Sequence, residues 1–395
     1  METENTGIDL GVYDSYEAAY EGFEWDIPGD FNVAEAVCGR WADAADGKRR
    51  VALFYEAEDG SRETYTFWRM QREANRVSNA LADAGVERGT RVGVVLPQRP
   101  ENLIANLAVL QMGGIVVPLS VLYGSEGLRY RLDHSETEVV VVGEQRAELV
   151  EELRPDLDSL ETVITVDAPD VGDHSWADAV GSASPAFDAV ETGPEDSAYI
   201  IYTSGTTGQP KGVLHAQRLL LGHLPSFAEN FLETGTTEGS VFWTPVEWSW
   251  IGSLFSVVML ALYYGRPVVA YDADRFDPEA AFSLLERYGV TNLGTPTTAL
   301  RMMMQVDSPR ERYALDTMRS VGAGGEAVGE SVVSWVEETF DAPLEEAYGQ
   351  TEANLVVGGC AALAGLRAGK MGLAVPGHDV RVVDPETAET SVDPG

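Results

Sequence analysis

Apolar positions along the chain follow two alternating rhythms. From Phe67 to Ala84 they recur at the spacing of one helical face, and Gly85 stops them. Arg91 to Leu96 (RVGVVL) is a short continuous apolar run closed by Pro97, the pattern of a buried strand. Glu101 to Met112 predicts a helix ending at Gly113-Gly114, and Ile115 to Leu119 a strand. Leu128 to His134 predicts a helix, while Glu138 to Val142 and Val163 to Val166 are β-branched and strand-like. Residues Asp167 to Pro194, rich in Asp, Gly, Ser and Pro, read as a surface connection. A second series then predicts strands at Ala198 to Thr203, Val241 to Thr244, Pro267 to Tyr271, Thr291 to Gly294, Arg319 to Val321 and Leu344 to Ala347. Helices fill the gaps, as at Trp250 to Leu262 and Pro278 to Tyr288. After Gly358 the texture changes to short strand-like pieces such as Val380 to Val383, set among Gly and Pro.

Alternating strands and helices imply largely parallel sheets with helices on their faces. The expected class is α/β, with two α/β subdomains and the start of a small β-rich unit. Residues 1–34 form an N-terminal extension in this reading. Residues 35–193 form the first subdomain, 194–358 the second, and 359–395 an incomplete β-rich unit.

Composition narrows the classes. Of the 395 residues, 44% are hydrophobic, enough for a large core and too many for a disordered chain. Cys38 and Cys360 are the only cysteines, which excludes a disulfide scaffold, and the five histidines lack metal-ligand spacing with them. No run reaches the roughly 18–20 apolar residues of a membrane span. The acidic start, Met1-Glu2-Thr3-Glu4-Asn5, has no apolar signal region, so a cytoplasmic protein is expected. The formal net charge is -37, from 64 acidic and 27 basic side chains, with a pI near 4.3. Such a charge disfavours nucleic acid and anionic membranes as partners. Lysine occurs only at Lys48, Lys211 and Lys370. Self-repulsion at this density opposes compaction in dilute buffer, and molar salt screens it. The charge therefore reads as adaptation to a salt-rich cytoplasm, with an ordinary acidic protein as the alternative.

One segment carries chemistry by itself. The strand around Tyr199-Ile200-Ile201-Tyr202 runs into Thr203, Ser204, Gly205, Thr206, Thr207, Gly208, Gln209, Pro210, Lys211 and Gly212. Glycines let backbone N–H groups close around an anion, hydroxyls add donors, and Lys211 adds positive charge. The pattern is not the nucleotide P-loop G-x-x-x-x-G-K-[ST], since Pro210 precedes the lysine and Gly212 follows it. A second segment, Glu345, Glu346, Ala347, Tyr348, Gly349, Gln350, Thr351 and Glu352, follows a short strand. It offers a ring for a purine, hydrogen bonds, and a carboxylate suited to Mg²⁺; turn packing is the competing reading. A third, Ser320 to Ala327, reads either as a flat-ligand surface at Gly325, Glu326 and Ala327 or as a tight strand-to-helix turn.

In combination the three segments resemble the adenylate-forming superfamily of acyl-CoA synthetases, luciferases and peptide-synthetase adenylation domains, and within it the medium-chain acyl-CoA synthetases. TSGTTGQPKG (203–212) resembles the family's phosphate loop, YGQTE (348–352) its adenine and magnesium motif, and Gly325-Glu326 its adenine wall. TPVEWSWIG (244–252) is similar to the acyl-pocket stretch, and KMGLAVPG (370–377) to the G-x-P-x-P-G region. The resemblance implies that ATP, with Mg²⁺, activates a small-molecule carboxylate as acyl-adenylate, and that CoA then displaces AMP. It implies phosphate contacts from Thr203 to Lys211, an α-phosphate contact from Thr351, Mg²⁺ at Glu352 and adenine stacking on Tyr348. Gly325, Glu326, Ala327 and Glu346 would border the base.

Acetate-specific relatives carry a tryptophan where this chain has Gly349. With Trp250, Ile251 and Gly252, that glycine implies an apolar pocket for a medium-chain, branched or aromatic acid; core packing of Trp248 and Trp250 is the plain alternative. The family's ribose-binding Asp and the lysine of its small C-terminal domain have no counterpart among these residues. The chain is thus expected to represent the N-terminal part of a longer enzyme and to turn over poorly by itself. Transfer to a carrier-protein thiol, a non-catalytic nucleotide- or acyl-binding role and a homodimer stay open.

Overall fold

A computed structural model of the chain describes residues 15–203, 208–231, 238–359, 361, 365, 369–384, 386, 387 and 390. Its strands form two largely parallel sheets. One sheet has the order His174–Ser175, Thr162–Val166, Val139–Gly143, Arg91–Val95, Ile115–Pro118, Ser197–Thr203 and Lys211–Ala216. The other runs Leu373–Ala374, Ala353–Gly358, Leu344–Gln350, Ser320–Gly324, Asn292–Thr295, Phe242–Trp243, Val268–Asp272, Val51–Ala57 and Arg62–Thr66. Antiparallel pairing is confined to the edges.

Sheet membership crosses the 193/194 division in chain order. The hairpin Ser197–Thr203/Lys211–Ala216 extends the sheet of the first half, whereas Val51–Ala57 and Arg62–Thr66 edge the sheet of the second. Val380 to Val383 forms no strand; Val383 makes only an isolated bridge to Thr390. Val382 is 73% exposed, and β-branched residues without a face to bury gain nothing from extension. Leu373–Ala374 pairs in that region instead.

Parallel sheets must be covered on both faces, and here one helical layer serves both. Helices Phe67–Asp83 and Pro100–Gln111 and the helical segment Ile251–Tyr263 contribute to one cluster with Val92 and Val116 of one sheet and Leu53 and Val268 of the other. Pro100–Gln111 is buried at nearly every position, as a helix enclosed on all sides must be. Helices Ser125–His134 and Glu144–Leu153 cover the outer face of one sheet, and Pro278–Tyr288 and Glu330–Phe340 that of the other. Local signals set the ends: Thr66 Oγ1 accepts the Arg69 N–H at 3.2 Å, and Asp277 caps a helix that Gly289 ends in the left-handed conformation. Within Ile251–Tyr263 the turns Leu254–Met259 are π-helical. Val257 there approaches the sheet closely: a Cβ on Gly294 would lie 2.4 Å from its Cγ2.

Residues counted as an N-terminal extension pack against the far end of the chain. Tyr16 and Tyr20 donate their hydroxyls to the carbonyls of Ala374 and His378, and the Trp25 indole donates to Gly377. A second tie joins the edge hairpin to helix Pro278–Tyr288. Buried Glu56 accepts from Arg287 at 2.7 Å and Tyr288 at 2.8 Å, and pairs with Arg62 at 3.0 Å. Replacing Glu56 by Ala strands these donors beside an apolar core. Denaturant unfolding of Glu56→Ala should show a loss of about 2 kcal/mol, the scale of a hydrogen bond to a charged group.

Candidate active site

The hairpin Ser197–Thr203/Lys211–Ala216 is held from both faces of its first strand. The buried Tyr199 hydroxyl donates to Asn106 Oδ1 at 3.0 Å. Three residues on, the Tyr202 hydroxyl bonds the Arg131 carbonyl at 3.1 Å and His134 Nδ1 at 2.9 Å. Helix Ser125–His134 also reaches the loop's far side, where Tyr130 donates to the Pro210 carbonyl at 3.0 Å. Lys211 therefore starts a strand, opposite Thr203 in register, with an exposed side chain. Gly208 has φ 105°, a conformation that favours glycine, and Gln209 is exposed. Ser204, Gly205, Thr206 and Thr207 lie outside the described residues.

Sequence reasoning put the YGQTE segment after a short strand; the strand runs through it, Leu344–Gln350, and turns at Thr351 and Glu352 into Ala353–Gly358. Side chains therefore alternate between faces. Ala347 and Gly349 line a cavity, while Tyr348 stands outside it, 42% exposed. His215, on the hairpin's second strand, shares a groove with Glu352 of the YGQTE turn on the other sheet. Burial lowers its pKa, opposed by the Thr351 backbone and the Glu352 charge, and its Nε2 has no hydrogen-bond partner among the described residues.

The cavity, of about 150 Å³, opens at the C-terminal edge of the parallel strands, where open α/β sheets bind ligands. Trp250, Ile251, Gly252, Gly349, Gln350 and Thr351 all line it, as do Gly324 and Gly325. Gly325 has φ 88°, and a Cβ there would fall 3.2 Å from the Trp250 ring, so the third segment and the tryptophan stretch meet directly. Trp248 is fully buried, in the core; Trp250 is not. Glu326 caps the helix Thr297–Met303 by accepting the Thr298 N–H at 2.8 Å, and Ala327 is exposed. Glu346 accepts weakly from Val328 N–H at 3.4 Å. Neither Glu326, Ala327, Glu346 nor Tyr348 lines the cavity.

A wider groove of about 500 Å³ runs past His215 and Glu352 toward Trp25 and His378. No trio of His, Cys, Asp or Glu able to hold a metal occurs among the described residues. One exposed carboxylate, Glu352, suits Mg²⁺ carried in on nucleotide phosphates, the usual mode for that ion.

Glu345 stands in the second segment of the sequence reading without a role assigned to it. It is 3% exposed and lines the deep part of the cavity. Burial raises its pKa from the ordinary 4.5 to about 8, against a weak opposing hydrogen bond from the Ala361 N–H.

The sequence profile of a family described as AMP-binding enzyme matches residues 40–394. The uncharacterized acyl–CoA ligase YtcI of Bacillus subtilis is 29% identical over 338 residues, 85% of this chain and 62% of the relative. The mitochondrial acyl-coenzyme A synthetase ACSM5 of Mus musculus is 28% identical over 370 residues, 91% of this chain and 62% of its own. The chain thus spans 62% of the length of these curated relatives. A crystal structure of the Brucella canis acyl-CoA synthetase superposes with a TM-score of 0.86 at 27% identity, covering 96% of this chain and 70% of that one. No helix among the described residues is long and apolar enough to cross a membrane.

The raised pKa of Glu345 makes its contribution to stability depend on pH. The folded state holds the proton more tightly than the unfolded one, so this contribution is full below about 4.5 and is lost as pH rises through about 8. Measured against Glu345→Gln, wild-type stability should fall steadily across that window and level off above it. A stability difference that does not vary with pH would mean the carboxyl is solvated.

Proposed function

The chain belongs to the family of AMP-binding enzymes, and from that we propose that it serves ATP-dependent activation of a carboxylic acid as acyl-adenylate, followed by thioester formation with CoA. The observation that carries this is the cavity at the C-terminal strand edge, lined by Trp250, Gly252 and Gly349 and ending at Thr351. An acid in it has its carboxylate beside Thr351, where a carboxylate oxygen can attack the α-phosphate of ATP. The carboxylate is a weak nucleophile and pyrophosphate a highly charged leaving group, so the work is positioning and charge neutralisation. Lys211 and the hairpin from Thr203 neutralise the β- and γ-phosphates, Thr351 donates to the α-phosphate, and Glu352 takes the Mg²⁺ of the nucleotide. Tyr348 covers the adenine, bordered by Gly325, Glu326, Ala327 and Glu346.

The size of the cavity supports a compact acid. A cavity of about 150 Å³ is the size that accepts benzene, which suits a medium-chain, branched or aromatic acid. The net charge of -37 and the scarcity of lysine support a cytoplasm rich in salt as its setting.

Two measurements test this. Calorimetry with non-hydrolysable acyl-sulfamoyl-adenosine mimics should detect binding of hexanoyl and benzoyl forms. Gly349→Trp should weaken those by about tenfold or more while sparing the acetyl form, the scale of filling a hydrophobic pocket. No binding of any mimic overturns the proposal. Raising KCl from about 0.1 M to about 2 M should raise the melting temperature throughout, because screening relieves self-repulsion; a melting point insensitive to salt would remove the salt-rich setting.

A further inference from the structure

Three buried polar atoms on one face of the sheet have no hydrogen-bond partner among the described residues: Asn292 Nδ2, Ser320 Oγ and Glu345 Oε2. Asn292 and Ser320 are each 1% exposed, and Glu345 is 3% exposed. The parallel register aligns Asn292 with Ser320, and Gly322 with Glu345. Aligned residues share a face, and so do residues two apart in a strand. All four therefore look the same way, toward the cavity that Asn292, Gly322 and Glu345 line. Gly322, opposite both Gly294 and Glu345, has no side chain and leaves open space beside Glu345; Asn292 stands two residues back along its strand, opposite Ser320. At about 3.3 Å per residue, Glu345 lies roughly 13 Å below Gly349 along its strand, at the end of the cavity away from Thr351.

Buried polar groups are nearly always paired, and leaving one unpaired is costly. Two of them, on Asn292 and Glu345, belong to the lining of the cavity, with Ser320 next to Asn292 in register; unpaired groups in a pocket wall point to a ligand that supplies the partners. Asn292 Nδ2 can only donate, and a carboxylate can only accept. A hydroxyl answers both, and its own donor–acceptor character also suits Ser320 and a protonated Glu345; an ammonium, donor only, would leave Asn292 unanswered.

Building on the acyl-activating reading above, we propose that Glu345 and Asn292 select an acid bearing a hydroxyl at the end remote from its carboxylate. The acid that fits is compact, a hydroxylated ring or a short ω-hydroxylated chain. Glu345 is the principal specificity residue, with Asn292 completing the site and Ser320 behind it.

The test compares matched acyl-sulfamoyl-adenosine mimics on the wild-type chain by calorimetry: hexanoyl against ω-hydroxyhexanoyl, and benzoyl against para-hydroxybenzoyl, with para-aminobenzoyl as a further arm. The hydroxylated member of each pair should bind about tenfold or more tighter, the scale of hydrogen bonds to a charged or chargeable group. In Glu345→Leu the preference should vanish or reverse. Glu345→Gln, which keeps a hydrogen-bonding side chain of the same size, should retain part of it; thermal unfolding of each variant reports whether it is folded. Equal or tighter binding of the unsubstituted mimics to the wild-type chain overturns this proposal and leaves acyl activation standing, with the three groups bridged by water. Tighter binding of the amino than of the hydroxyl ring overturns the part assigned to Asn292. Failure of every mimic to bind overturns both readings.

Discussion

A parallel sheet needs apolar cover on both faces, and this chain has two such sheets to cover. The economical arrangement is a helical layer used by both, and the rest of the molecule depends on it. Helix Pro100–Gln111 and the segment Ile251–Tyr263 have no face left for water. Their enclosure fixes the distance between the sheets. It thereby fixes the approach of the hairpin Ser197–Thr203/Lys211–Ala216 on one sheet to the YGQTE turn on the other, where His215 and Glu352 line one groove. The cavity lies where the first turns of that segment, Ile251 to Val257, face the strand ends. Trp250, at the start of that segment, is partly exposed and leans over Gly325, whereas Val257, two turns on, presses onto Gly294.

The acidic surface and the site impose opposite demands. An anionic ligand at this site would meet a protein of net charge -37. Against that stands the exposed ammonium of Lys211 at the root of the hairpin. Glu326 is engaged in capping a helix, and Glu345, which lines the cavity, is held where burial favours its neutral form. Burial of Glu345 thus lowers the negative charge on the cavity wall itself.

The sequence made the element pattern legible wherever burial imposes a period. Strands such as Arg91–Val95 and Val268–Asp272 and helix Pro278–Tyr288 lie where apolar spacing and caps put them. The hairpin Val51–Ala57/Arg62–Thr66 was not legible, since an edge pair half open to water shows no clear alternation. Nor was the attachment of Ser197–Thr203 to the other sheet, because strand order is decided by distant partners such as Val116, which Tyr199 pairs with. At the site, Trp250, Gly252 and Gly349 could be brought to one cavity by motif alone. The meeting of Trp250 with Gly325 and the burial of Glu345 could not, since both depend on the register of strands far apart in the chain.

The exchange of strands between the sheets bears on how the molecule can be assembled. Neither the stretch before residue 194 nor the stretch after it contains a whole sheet: one lacks the hairpin Ser197–Thr203/Lys211–Ala216, and the other lacks Val51–Ala57/Arg62–Thr66. Each half would expose an open sheet edge and one side of the shared helices, the surfaces that aggregate in partly folded proteins. One sheet therefore gains its last strands only once residues up to Ala216 have emerged during synthesis, and the other takes one edge from residues made near the start.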